Sequence, residues 1–100
     1  MNKLTNLSSI KEKLHQELPI LAKLYQVKSL GVFGSYVHQE QDSDSDIDIL
    51  VTFMEIPSLL KFIELENYLT DLLEIKVDLV MREALKPRIG ERILREVVPI

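Results

Sequence analysis

The sequence predicts an α/β (α+β) fold: a small mixed β-sheet of about three strands, flanked by helices. Apolar residues alternate at Ile47, Ile49, Val51 and Phe53, the period of a strand with one buried face. Leu59, Phe62, Ile63, Leu65, Leu69, Leu72 and Leu73 are spaced mostly for one buried helical face. The element order reads helix, strand, strand, helix, strand, helix. A loop joins the first two strands and a helix joins the next two, which requires a mixed sheet covered mainly by helices.

Bulk properties narrow the possibilities. With 100 residues, 46% hydrophobic and 28% charged, the chain is expected to form one domain over 1–100 with a packed core. Charges interrupt every apolar stretch, so no membrane span is expected. The start lacks the apolar block of a secretory signal and cysteine is absent, which fits a cytoplasmic address. The net charge of −4 argues against direct nucleic-acid binding, which normally needs a basic face.

Each element has a local reason. Ser8 or Ser9 can cap a helix starting near Ile10, with Ile10, Leu14 and Leu18 on one stripe. Pro19 is expected to break or kink it, leaving a second short helix at 20–25. Strands are expected at 27–34, 46–53 and 76–81, and the long helix at 59–74, opened by Pro57 and Ser58. The segment 82–97 reads as helical, interrupted at Pro87 and Gly90.

The chemistry concentrates in acids. Asp46 and Asp48 sit two apart on a predicted strand, so both carboxylates point to one face with origins roughly 6–7 Å apart. Like charges this close repel, and burial would raise their pKa values. A divalent cation resolves the conflict, and all-oxygen ligation favours magnesium or manganese over zinc. Asp78, between Val77 and Leu79, is an awkward charge in an apolar strand. With its strand beside the second, it completes a three-carboxylate site able to hold two metal ions. Gly34-Ser35 closes the first strand ten residues before Asp46. There a glycine lets backbone approach a phosphate, and serine adds a hydroxyl.

Plainer readings suit other residues. Asp42 and Asp44 read as caps or solvated turn residues. A calcium loop starting at Asp42 fails, because Ile47 and Phe53 occupy the required glycine and glutamate positions. His15 and His38 lack a second histidine at ligand spacing and read as solvated. Arg82, Lys86, Arg88, Arg92 and Arg95 read as a solvated helix face. Without Asp78 and Gly34-Ser35, the pair Asp46 and Asp48 would be as readily structural as functional.

Phe33-Gly34-Ser35, then Ser45-Asp46-Ile47-Asp48-Ile49-Leu50-Val51, then Val77-Asp78-Leu79-Val80 resembles the polymerase-β-like nucleotidyltransferase superfamily, in its minimal prokaryotic branch. The likeness runs over almost the whole chain. It implies that Asp46, Asp48 and Asp78 are catalytic and bind two Mg2+ ions (or Mn2+), with Asp78 helping to deprotonate the acceptor. It implies that Gly34 and Ser35 hold the triphosphate of ATP. Minimal members resemble antitoxins paired with a helical HEPN ribonuclease toxin, onto whose tyrosine they transfer AMP. The resemblance therefore implies a protein adenylyltransferase antitoxin with a HEPN toxin partner. Many relatives follow Gly-Ser with Ala-Arg-Gly, where this chain has Val37-His38-Gln39. That removes an arginine from the loop and keeps open a binding-only antitoxin. Transfer to a small molecule is a third reading, opposed by the lack of an added helical domain.

Overall fold

The long alternation in the middle of the chain becomes the central strand. The computed structural model describes residues 6–38, 40 and 45–100. Helix α1 (Leu7–Tyr25) leads into β1 (Val27–Phe33), a 3-10 turn (Gly34–Tyr36) and β2 (Ile47–Phe53). Helix α2 (Leu59–Leu73), β3 (Val77–Met81), a second 3-10 turn (Arg82–Ala84), α3 (Pro87–Glu96) and β4 (Val98–Pro99) follow. The sheet order is β3-β2-β1-β4. The β2/β3 pair is parallel, and β1 is antiparallel to both β2 and β4. The expected mixed sheet is present with four strands instead of about three. β4 is two residues long, too short to carry a period. Its proline fits an edge, where no ladder amide is needed.

One face of the sheet is sealed by α1 and α2. Ile47, Ile49, Val51 and Phe53 all point into that core, with Leu30 and Val32 of β1 and Val77 and Leu79 of β3. Ile10, Leu14 and Leu21 of α1 and Leu65, Leu69 and Leu73 of α2 meet them from the helical layer. The stripe on α2 is narrower than expected: Leu59 and Ile63 are exposed, and Phe62 and Leu72 only partly buried. The other face carries Asp48, Leu50 and Thr52, the alternate residues of β2. The end of α3 lies against it at β1, where a Cβ on Gly31 would come 2.5 Å from Val97 Cγ2. Only glycine permits that approach.

Several local expectations are corrected. Asn6, not Ser8 or Ser9, caps α1; its Oδ1 accepts from the Ser9 amide at 2.8 Å. The helix also runs through Pro19 unbroken, so no separate helix exists at 20–25. Pro19 is exposed, and the carbonyl it strands belongs to His15, also exposed, so the lost bond falls on the solvent side of the helix. Pro87 opens α3 in the first-turn position that suits proline, and Gly90 is buried inside it against Leu85. Among the described residues, no helix is long and apolar enough to cross a membrane.

Strand β3 is a sheet edge, and α2 covers it with polar atoms. The Val77 amide donates to Thr70 Oγ1 at 3.0 Å, and the Leu79 amide to Glu66 Oε2 at 2.9 Å. These contacts flank Asp78 and fix its strand. Replacing Glu66 with alanine strands the Leu79 amide and is expected to cost about 1–2 kcal/mol. Glu66→Gln, which keeps an acceptor, should recover most of it in urea denaturation. Equal stability of the alanine variant and the unaltered protein would show that this bond does not secure the edge.

Candidate active site

Register builds the site. Parallel pairing places Asp48 directly beside Asp78, and antiparallel pairing places Phe33 on the other side of Asp48. The end of β1, where Gly34 follows, therefore meets the same end of the sheet as both acids. The carboxyl groups of Asp48 and Asp78 lie within hydrogen-bonding reach of each other. Asp78 is exposed at the sheet edge, and Asp48 is half-buried between it and Gly34.

That burial has an electrostatic consequence. Desolvation pushes the Asp48 carboxyl from its ordinary 3.8 up to about 6, helped by the charge of Asp78, the hydrogen bond to Asp78 and the charge of Asp46. Asp46 stands one residue before β2 and is exposed, so its influence comes last. Among the described residues, no group of three or more acidic or histidine side chains is gathered closely enough to enclose a metal ion. The Asp48–Asp78 pair itself offers hard oxygen donors and an excess of negative charge. Both properties suit a divalent cation such as magnesium.

Gly34 is required twice over. Its φ of +78° lies in the left-handed region, and a Cβ there would collide with the Asp48 carboxylate. The cradle and the acid pair are thus in direct contact. After Gly34 the chain makes a single 3-10 turn, with the Gly34 carbonyl accepting from the amides of Val37 (3.0 Å) and His38 (3.3 Å). Ser35 sits in this turn, half-buried, and its carbonyl accepts from the Glu40 amide at 2.9 Å.

All five expected site residues lie at one end of the sheet. Two features had no signal in the sequence. His38 Nε2 donates to Glu96 Oε2 at 3.0 Å, tying the loop after Ser35 to the end of α3, while His38 itself stays exposed, as expected. Arg82, exposed, borders a groove on the acid-bearing face together with Leu50 and Thr52. His15 is exposed, as expected. Gln39, Asp42 and Asp44 lie outside the described residues.

A mixed sheet with two long helices on one face, a strand-end Gly-Ser and a carboxylate pair across neighbouring strands is the architecture of a nucleotidyl-transferring domain. The family described as the nucleotidyltransferase domain matches residues 10–100, and the chain belongs to it. The chain is 60% identical over 78 residues to the protein adenylyltransferase MntA of Thermococcus cleftensis, a match covering 78% of this chain and 79% of that one. A solved structure assigned as a minimal nucleotidyltransferase superposes with a TM-score of 0.82 at 33% identity, over 99% of this chain and 100% of that one. A chain from the complex of tri-AMPylated Shewanella oneidensis HEPN toxin with MNT antitoxin gives a TM-score of 0.66. It covers 90% of this chain and 70% of that one, and at 20% identity the likeness is one of fold.

Proposed function

We propose that this protein is a protein adenylyltransferase that moves AMP from ATP onto a tyrosine hydroxyl of a HEPN ribonuclease partner, acting as its antitoxin. The observation that carries the reading is the contact of Gly34 with Asp48, which is itself paired with Asp78. A polyphosphate cradle and an acid pair in contact form the minimum apparatus for substitution at phosphorus. The 60% identity to a protein adenylyltransferase supports the substrate class, and the fold shared with a toxin–antitoxin complex supports the partner class.

Gly34 and Ser35 hold the triphosphate, the glycine by letting backbone come close and the serine through its hydroxyl. Asp46, Asp48 and Asp78 are the residues that would hold two magnesium ions, with manganese as a substitute. When bound, the ions supply charge neutralisation on the phosphates and acidify an oxygen beside them. The acceptor oxygen attacks the α-phosphorus, a new P–O bond forms, and the bond to pyrophosphate breaks in line with it. Asp78, exposed on the edge strand, is placed to take the acceptor's proton. Holding reactants in line accounts for much of the rate in such reactions.

The Val37-His38 loop motivates a second reading, a binder that blocks its partner without chemistry. His38 is bonded to Glu96, and the loop between Ser35 and Asp46 contains no arginine. Incubation with magnesium, α-labelled ATP and the product of the neighbouring gene separates the two. Label is expected on that product, and none with Asp46→Asn/Asp48→Asn. Undiminished neutralisation by the double variant would leave the binding-only reading standing.

A further inference from the structure

Helix α2 closes only part of the β3 edge. The Ile47 amide donates to the Lys76 carbonyl at 2.9 Å, which sets the phase of the β2/β3 ladder. Asp78 and Val80 then turn their backbone groups toward β2, while Val77, Leu79 and Met81 turn theirs outward. Thr70 and Glu66 take up the Val77 and Leu79 amides. Among the described residues, the next outward groups, the Leu79 carbonyl and the Met81 amide, meet no partner. They flank Val80 and form one open rung.

Beside that rung lie apolar side chains left without a core. Leu59 and Phe62 are spaced for the buried stripe of α2, yet Leu59 is 73% exposed and Phe62 only partly buried. Between these two and Leu79 and Met81 runs a groove of about 490 Å3. A cavity of about 150 Å3 already takes a benzene ring, so a bulky side chain fits. An extended peptide uses both features, its backbone on the rung and an alternate side chain in the groove. A small apolar molecule would use the groove alone.

Position selects the owner of that peptide. Val80 and Asp78 share one face of β3, roughly 7 Å apart. Glu66 occupies the rung before Val80, and α2 covers the core side. A segment held at Val80 therefore leaves across the open face, past exposed Asp78, the residue placed to take the acceptor's proton. We propose that this edge docks an extended segment of the protein acceptor, with an apolar side chain in the groove and the reacting hydroxyl further along at Asp78. The assignment rests on the adenylyl transfer proposed above.

Calorimetry with the product of the neighbouring gene, and separately with magnesium and ATP, tests it on the unaltered protein and three variants. Leu59→Glu puts a charge at the groove mouth, in a helical first turn that tolerates an acid, and should weaken the partner roughly tenfold or more. Met81 has a φ of −84°, close to proline's own, so Met81→Pro fits the edge and removes the amide donor. It should weaken the partner roughly threefold to tenfold, and Met81→Leu, which restores the amide, should recover the affinity. ATP affinity is expected to hold in all three.

Unchanged partner affinity in both Leu59→Glu and Met81→Pro would overturn the assignment, as would a parallel fall in ATP affinity. If light scattering shows these variants splitting a dimer of this chain while the partner still binds, the edge belongs to a second copy. Label transfer reads out the broader proposal separately. An unaltered protein that binds its partner through this edge and transfers no AMP loses the chemistry and keeps the docking surface. One that labels its partner equally well in every variant loses only the edge. One that binds no partner loses both.

Discussion

Replacing Asp48 with asparagine is expected to cut nucleotidyl transfer by on the order of 10²–10³ or more, while making the ligand-free protein more stable at neutral pH. The two effects share one cause. Asp48 is held half-buried beside Asp78 and against Gly34, and its carboxyl is pushed up to about 6 from an ordinary 3.8. Between those values the folded protein binds more protons than the unfolded chain. Stability therefore falls as pH rises from about 4 to about 6, and levels off above. The charged form is the strained one, and asparagine never acquires that charge.

The variant should accordingly lose this slope and exceed the unaltered protein at pH 7.5, both measured without divalent cations. Added magnesium should raise the melting temperature of the unaltered protein and do much less for the variant. Denaturation curves at pH 4.5 and 7.5 decide the matter. A variant less stable at pH 7.5 would mean that the Asp48 charge is favourably held in the fold. The site would then have no electrostatic need of a cation.

The second large effect is structural. Leu69 is 0% exposed in the C-terminal half of α2, packed in the cluster that includes Ile49, Val51, Val77 and Leu79. Leu69→Ala removes buried methyl groups and leaves a cavity, at a cost of about 2–5 kcal/mol. A domain of this size is stable by about 5–15 kcal/mol, so the melting temperature should drop by roughly 10 °C or more. Leu60→Ala is the matched control: same helix, same substitution, but 77% exposed and expected within about 0.5 kcal/mol of the unaltered protein. Similar losses for the two would contradict the packing of α2. Because α2 also presents Thr70 and Glu66 to the edge of β3, loosening it should slacken the strand that carries Asp78.

Much of this could be read directly from the residues. The alternation from Ile47 to Phe53 identifies β2 and its buried face, since a strand's period of two survives any tertiary context. Gly34, Ser35, Asp46, Asp48 and Asp78 stand out only in combination: Gly34-Ser35 closes a strand ten residues before Asp46, and Asp78 is a charge inside an apolar strand, costly without a partner. The errors are equally physical. Pro19 signals a break by local sterics, but the lost bond falls on the solvent-facing side of α1, where a carbonyl need not be left unsatisfied. Ser8 and Ser9 are good caps by type, yet Asn6 is the residue whose side chain meets the first free amides.

Local sequence determined the three longer strands, the long helix and the chemical character of the site, because these depend on periods and residue types within a few positions. Tertiary structure alone decided that β2 and β3 pair with Asp48 facing Asp78, that His38 reaches Glu96, and that Arg82 borders the same groove as Leu50 and Thr52. Those juxtapositions join residues 30 or more positions apart. Their energies arise from register and packing of the whole sheet, which no single stretch of sequence encodes.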